Sequence, residues 1–569
     1  MSSLRKYAKE SGEGFPRFRL GVIGDCATQH ISTAIRGTGI KNGTDLLVFD
    51  ADYNQILAQT ADPHSELYEF NPDAVLVFNC TEKLYEEFQD TPVGQREGFA
   101  EKKLLQIEGV WKSISANCGA KILQTTFTEY DDRTCGNFGA RLRSSFIFQM
   151  RKLNYLMCDH MNEDNVYPVD LQFISELYGT PEFRSTKNYA MAKIPFSTNL
   201  IPAIAEEVWA VISAMSGKVN KCLVLDLDNT MWGGVVGDVG FDGIEIGDLG
   251  VGHAFTAFQR WVLELKKRGI ILTVCSKNFD DKAKEPFEKN PEMTAKLEDF
   301  ALFIANWEHK GQNIANMQKR LNIGLDSMIF IDDSAFERGS VRDMLPDVKV
   351  PEMPPEPSDY IDYLRGQHLF ETVAWSEEDA KRNDMYRAEA DRAILSETFA
   401  DYGDYLRGLA MRAVAKPFES FWYPRIAQLS QRSNQFNLRT VRYTEEEIKR
   451  IAESDDYLTV YFTLRDRFGD YGLISAVIMK KDGENLFVDT WIMSCRVLKR
   501  TMEEFIVNKM ISVANENGFR TVTGQYLPTK KNGMVKDIYS KLGFEDCGDG
   551  IFTAGVDGFR YNESFISEE

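Results

Sequence analysis

At 569 residues the chain exceeds what one hydrophobic core organises, so three domains are expected. Its 43% hydrophobic and 27% charged content is that of a folded globular protein and excludes a disordered or fibrous one. A formal net charge of −20 repels phosphate backbones and anionic lipid surfaces, which sets aside nucleic acid and membrane surfaces as partners.

The opening stretch MSSLRKYAKESGEGF is charged throughout, and no uninterrupted apolar run reaches bilayer length. No membrane insertion is expected, and the default location is the cytoplasm. Nine cysteines, odd in number and without a CxxC pair, speak against a disulfide framework or a zinc ribbon. They are expected to be mostly free thiols, with one or two as candidates for catalysis.

Residues 1–215 alternate apolar runs (Phe18 to Ile23, Asp45 to Phe49, Ala74 to Phe78, Ala120 to Gln124) with helical patterns such as Glu82 to Phe88 and Leu104 to Ser115. This alternation predicts a parallel α/β sheet. Just past the first strand stands Gly24-Asp25-Cys26-Ala27-Thr28-Gln29-His30, which is similar to the first block of SGNH hydrolases with cysteine in the place of serine. The resemblance implies an SGNH-like domain with Asp25 and Cys26 as a candidate site. The late Asp-x-x-His pair of such enzymes has no clear counterpart, since Asp159-His160 has the wrong spacing. A degenerate domain that binds a partner fits equally well, and His30 and His160 read as structural histidines.

A second α/β unit, 216–357, follows the helical stretch Ile204 to Met215. Its first strand, Cys222 to Asp226, stops on two carboxylates, Asp226 and Asp228. A side chain at the carboxyl end of a buried parallel strand points into the crevice where open α/β sheets bind ligands. Strand Ile270 to Val274 leads to Ser276-Lys277-Asn278, Lys310 follows strand Ala301 to Ile304, and strand Ser327 to Ile331 ends at Asp332-Asp333. Taken together, the four strand-end signals resemble the motifs of the haloacid dehalogenase superfamily, in its capless Rossmann-like form.

That resemblance implies Asp226 as nucleophile and Asp228 as general acid and base, with Ser276, Lys277 and Lys310 around the phosphoryl group. It implies Mg²⁺ held by Asp226, the Asp228 carbonyl and Asp333, with Asp332 orienting Lys310 and the metal's waters. The run Leu227-Asp228-Asn229-Thr230-Met231-Trp232-Gly233-Gly234 goes further and closely resembles the FkbH-like group. So do Arg425 to Leu438 and Trp491-Ile-Met-Ser494-Cys495-Arg496. Membership would imply a glyceryl transferase and phosphatase. Such an enzyme dephosphorylates 1,3-bisphosphoglycerate, a small phosphorylated three-carbon substrate, and loads the glyceryl unit as a thioester on the phosphopantetheine of an acyl carrier protein.

The segment Pro351-Glu-Met-Pro-Pro-Glu-Pro357 continues neither helix nor central strand and reads as a linker. Residues 358–569 then carry a charged helical region, Ser376 to Ala413, strands Leu458 to Leu464, Gly472 to Met479 and Leu486 to Met493, and a helix from Thr501 to Asn517. Their order resembles the GNAT acetyltransferase fold, without its glycine-rich pyrophosphate loop. Cys495 precedes Arg496, Lys499 and Arg500 at a strand-to-helix turn, which suits an anion and a thiolate nucleophile; a buried, inert cysteine is the plainer reading. Asn434, Gln435 and Asn437 could bind an acyl or pantetheine chain or cap a loop, and Lys530-Lys531-Asn532 could face an acidic carrier. Two alternatives stand beside the transferase: a stand-alone phosphomonoesterase for a sugar phosphate or lipid precursor, and a non-enzymatic assembly module.

Overall fold

The computed structural model describes residues 1–10, 12–161, 165–375, 379, 382–383, 385–388, 392, 401–433, 435–529 and 531–569. The chain divides into two compact units, Met1–Lys218 with Phe370–Val373, and Val219–Leu369 with Ala374–Glu569. The fold is α/β, as expected.

The first unit is built on strands β1 (Arg17–Gly24), β2 (Asp45–Asp50), β3 (Ala74–Phe78), β4 (Lys121–Thr125) and β5 (Val166–Val169), in the order β2-β1-β3-β4-β5. All pairings are parallel, and β3 is buried along its whole length. This is what an uninterrupted Ala-Val-Leu-Val-Phe run predicts for a strand covered on both faces. The sequence pattern gave no sign of β5, because Pro168 interrupts it. The structure places β5 at the sheet edge, where a strand tolerates proline.

The second unit holds two sheets. Strands β6 (Cys222–Leu225), β7 (Ile271–Ser276), β8 (Leu302–Ala305) and β9 (Met328–Ile331) form a parallel sheet in the order β8-β7-β6-β9. After β6 the chain first builds β7 and β8 on one side, then returns to place β9 on the other. That reversal makes the carboxyl end of β6 a topological switch point, the usual place for a ligand crevice. Cys222, Val224, Ile271, Ile314, Met317 and Phe330 form the core beneath it.

The remaining strands are β10 (Arg412–Lys416), β11 (Tyr457–Asp466), β12 (Gly469–Asp482), β13 (Asn485–Met493), β14 (Thr521–Gln525), β15 (Glu545–Gly548), β16 (Ile551–Gly555) and β17 (Ser567–Glu568). They make a mixed eight-stranded sheet in which β13 and β14 pair in parallel. Trp491, Phe436 and Tyr539 anchor its core, with helix Met502–Glu516 packed against it through Met502, Ile506 and Met510. The predicted helical region Ser376 to Ala413 lies largely outside the described residues. Within them, Tyr402–Gly408 is helical, whereas Arg412 and Ala413 belong to β10.

Segment 351–357 is more than a connector. Buried Arg338, on helix Ala335–Met344, donates to Glu352 from Nε at 3.2 Å and from a terminal nitrogen at 2.8 Å. Arg342 adds a second ion pair to Glu352 at 2.6 Å. The proline-rich chain is thereby fastened to the helix that follows β9. No described helix is long and apolar enough to cross a membrane.

Candidate active site

The loop after β6 is shaped by its own residues. Asn229 adopts a left-handed backbone (φ 55°), which asparagine tolerates, and Gly234 sits at φ 89°. The Gly234 N–H donates to Asn229 Oδ1 at 2.9 Å, and the Thr230 and Met231 N–H groups both return to the Leu227 carbonyl. This tight turn brings Asp228 back over the end of the strand that carries Asp226. Asp228 Oδ1 accepts from Trp232 Nε1 and from the Val236 N–H, each at 3.0 Å, and Oδ2 accepts from Asn278 Nδ2 at 3.2 Å.

Three strand ends meet at Asp226, which is 6% exposed. Lys310, the first residue of helix Lys310–Leu321, places Nζ 2.8 Å from Asp226 Oδ1 and 2.6 Å from Asp332 Oδ2. Carboxylate oxygens of Asp226, Asp332 and Asp333 all lie within 4.8 Å of one another. Asp332 Oδ1 also accepts from the Ser334 N–H at 2.9 Å, and the Asp333 N–H donates to Thr230 Oγ1 at 3.2 Å. Ser276 closes β7, buried, two residues past Val274, which pairs with Leu225 at the end of β6.

Electrostatics follow from this crowding. Burial pushes the Asp226 carboxyl up, Lys310 opposes it, and Asp333 adds to it. Asp332 is raised by burial and by Asp226, and Asp333 by burial and by Asp332. Burial alone would pull Lys310 down, but Asp226 and Asp332 more than reverse this and leave its ammonium favoured. Asp228 is raised mainly by burial, which suits a group that donates a proton. One ammonium thus faces three mutually close carboxylates, an all-oxygen set with surplus negative charge that fits a hard divalent cation such as Mg²⁺.

Arg338 has no place in the motifs, yet it holds the site together. It donates to the carbonyls of Asp332 and Asp333 at 2.9 and 2.7 Å while gripping Glu352. Groups that orient ligating carboxylates alter metal affinity about 10- to 100-fold when removed. Arg338→Ala is accordingly expected to shift the Mg²⁺ dependence of the melting temperature at least about tenfold to higher concentration. Arg338→Lys should restore little, because an ammonium cannot span the three acceptors.

Other residues singled out by sequence are used differently. Lys277 reaches Glu337 at 2.6 Å. Arg500, 5% exposed, turns to Tyr471 and to Asp466 at 3.8 Å, so its charge serves a buried ion pair rather than an anion outside. Asn437, 1% exposed, caps the local loop by accepting from the Thr440 N–H at 2.7 Å. Gln435 is exposed, and Asn434 and Lys530 lie outside the described residues. Lys499 has a left-handed backbone (φ 62°) and its N–H donates to Glu503 at 3.3 Å.

Cys495 is half-buried at the start of a single 3₁₀ turn, Cys495–Val497, with Arg496 beside it and Ser494 Oγ accepting from Arg496 Nε at 3.0 Å. Its carbonyl accepts from Asn322 Nδ2 at 3.0 Å. Asn322 caps the end of the helix that Lys310 begins. A helix of twelve residues, Lys310 included, therefore runs from Lys310 to the cysteine's loop, roughly 18 Å at 1.5 Å per residue.

In the first unit, Asp25 and Cys26 follow β1, itself a switch point between β2 and β3. Asp25 accepts from Asn79 Nδ2 at 2.8 Å and from the Cys80 N–H at 2.9 Å, and burial pushes it up to about 6. Burial likewise raises Cys26 and, further, Cys80. Both thiols are held in the protonated form, which is poorly nucleophilic. His160 pairs with Glu108 at 2.6 Å, and His30 is exposed.

Residues 19–213 match the family model described as FkbH, N-terminal domain. Among solved structures, the chain is similar to the N-terminal part of the protein BF1531 from Bacteroides fragilis, containing a phosphatase domain and complexed with Mg. Identity there is 41%, over 66% of this chain and 99% of that one, at TM-score 0.64. The ribosomal-protein-S18-alanine N-acetyltransferase of Escherichia coli aligns with 26% of this chain and 98% of its own at 14% identity, but its TM-score of 0.21 leaves the C-terminal sheet to be read from its own strands. No curated protein matches the chain in sequence. The Asp226 cluster, the match to the FkbH N-terminal domain and the 41% identity over nearly all of that magnesium-bound, phosphatase-containing N-terminal part agree: the chain belongs to the FkbH-like family of haloacid dehalogenase-type phosphatases.

Proposed function

We propose that the protein removes phosphate from a phosphorylated three-carbon unit, supplied as 1,3-bisphosphoglycerate, and passes the glyceryl group through Cys495 to the phosphopantetheine thiol of an acyl carrier protein. The observation that carries the phosphatase half is the convergence of Asp226, Lys310, Asp332 and Asp333 from three strand ends. Asp226 attacks phosphorus and becomes an aspartyl phosphate. Asp228, favoured in its protonated form by burial, gives its proton to the leaving oxygen and then takes one from the hydrolytic water. Lys310 offsets charge on the transferring phosphoryl group. A divalent cation held by Asp226, Asp333 and the Asp228 carbonyl would supply further charge neutralisation and orient the phosphoryl oxygens.

The transfer half rests on Cys495 and the family likeness around it. The helix-length separation between Cys495 and Lys310 supports a division of labour in which an acyl group is carried between two places on a long arm. Cys495→Ala is expected to abolish carrier loading while leaving magnesium-dependent phosphate release within about twofold of normal, because the cysteine's hydrogen bond to the Lys310 helix is at that helix's far end. Carrier loading is read by intact-protein mass spectrometry. Normal loading by Cys495→Ala would remove the cysteine from the account and leave the phosphatase.

A further inference from the structure

The sheet of the first unit gathers a second set of ligand-type side chains, chemically unlike the Asp226 cluster. A carboxylate oxygen of Asp25 and the sulfurs of Cys26 and Cys80 all lie within 4.8 Å of one another, and all three residues are buried. Asp25 and Cys26 follow β1, whereas Cys80, 55 residues from Asp25 in sequence, follows β3 and caps helix Thr81–Asp90. No CxxC spacing announces the two thiols, because the pairing of β1 with β3 is what makes them neighbours.

Each group is held in place. One Asp25 oxygen accepts from Asn79 Nδ2 and the other from the Cys80 N–H, which fixes the carboxylate and still leaves a lone pair on each oxygen. Cys80 Sγ accepts from the Lys83 N–H at 3.4 Å. Hydrogen bonds of this kind orient metal ligands. The local charge favours a cation, since the carboxylates acting on Cys26 are Asp25, Glu82 and Asp50. Nearby cations are engaged elsewhere, Arg184 by Glu82 at 2.9 Å and Lys103 by Glu87 at 2.6 Å. Segment 180–197 packs over the place: the Lys193 carbonyl accepts from the Ala27 N–H at 2.9 Å, and Phe183, Tyr189 and Phe196 share a core with both cysteines.

We propose that Asp25, Cys26 and Cys80 hold one zinc-type cation, which staples the loop after β1 to the helix after β3. Thiolate sulfur selects zinc over magnesium, as the oxygen-only Asp226 cluster does the reverse. Zn–S bonds of about 2.3 Å put two sulfurs of a tetrahedral site roughly 3.8 Å apart, inside the span these atoms already occupy. On binding, the two thiols release their protons to solvent and two Zn–S bonds and one Zn–O bond form, so the ion's charge replaces the protons that burial otherwise retains. A water takes the fourth position. This site is independent of the phosphatase reading.

The test uses full-length protein produced in cells supplied with Co²⁺, a spectroscopic stand-in for zinc, so that the ion is present while the chain folds. The wild type should show sulfur-to-cobalt charge-transfer absorption with the strong visible bands of a tetrahedral ion, and sulfur neighbours in the X-ray absorption spectrum at the metal edge. Cys26→Ser and Cys80→Ser should each lose the charge-transfer absorption, whereas Asp226→Asn and Cys158→Ser should keep it. Asn79→Ala, which spares all three ligands, should weaken metal binding about 10- to 100-fold, and it serves if the serine variants do not fold. Wild-type protein without sulfur-to-cobalt absorption overturns the proposal, as does a Cys26–Cys80 disulfide in freshly isolated protein. So does absorption that survives in both serine variants, which would place the ion on other cysteines.

Discussion

Asp226→Asn is expected to lower magnesium-dependent phosphate release at least about a thousandfold, with thermal stability unchanged or slightly raised. The loss follows from position. Asp226 is the buried carboxylate at the switch point, in direct contact with Lys310, and an amide cannot attack phosphorus or carry the charge that binds a cation. The fold should survive because burial already pushes this carboxyl toward its neutral form, which asparagine imitates in size and polarity. Lys310 keeps Asp332 as a partner at 2.6 Å. Phosphate release and a melting curve, measured on the same preparation, separate loss of chemistry from loss of fold.

Lys310→Met should have a second kind of large effect. It removes the ammonium that contacts Asp226 and Asp332 and leaves buried carboxylates facing each other, at a cost of about 3–5 kcal/mol. Phosphate release should fall to background, and the melting temperature should drop by about 10 °C. The sign of the pH dependence follows from the raised carboxyls. A carboxyl whose folded pKa lies above its unfolded value favours the fold at low pH and loses that contribution as pH rises through the folded value. Burial raises Asp226, Asp332 and Asp333 even with Lys310 present, so the variant should approach wild type in acid and fall further behind toward neutrality. Mg²⁺ should recover part of the lost stability, because a cation that binds only the folded state stabilises it. A variant equally destabilised at all pH values and indifferent to Mg²⁺ would show that the carboxylates do not act as one charged cluster.

Two of the site residues that were legible in sequence share one property: each is a polar side chain placed directly after a short, wholly apolar strand. Asp226 after Cys-Leu-Val-Leu and Asp332 after Met-Ile-Phe-Ile announce both the strand and the crevice at its end. Arg338 was not legible, because an arginine on an amphipathic helix looks like a solvated charge until its partners are known. Those partners are backbone carbonyls and a glutamate 14 residues away. The proline-rich segment read as a linker for a similar reason, since proline rules out helix and central strand but says nothing about what the extended chain lies against.

At the C-terminal half the limits are those of direction. Spacing placed Arg496, Lys499 and Arg500 near Cys495, but spacing does not say where a long side chain points. Arg500 runs inward to Asp466 and Tyr471, and the positive φ of Lys499 and of Thr501 breaks the simple strand-to-helix turn that the local sequence suggests. In the first unit, Gly24-Asp25-Cys26 marked a true switch point. The burial of Cys26 and Cys80 could not be read from the motif, and it is burial that keeps those thiols protonated.

The central claim is that Asp226 receives the phosphoryl group. Its most direct test is peptide mass spectrometry of the Asp228→Asn protein, which lacks the base for hydrolysis, after incubation with 1,3-bisphosphoglycerate or an aryl phosphate and Mg²⁺ and a rapid acid quench. The account predicts a phosphoryl adduct on the peptide carrying Asp226, lost on treatment with hydroxylamine and absent without Mg²⁺. An adduct on any other residue, or steady phosphate release with no adduct at Asp226, would contradict it.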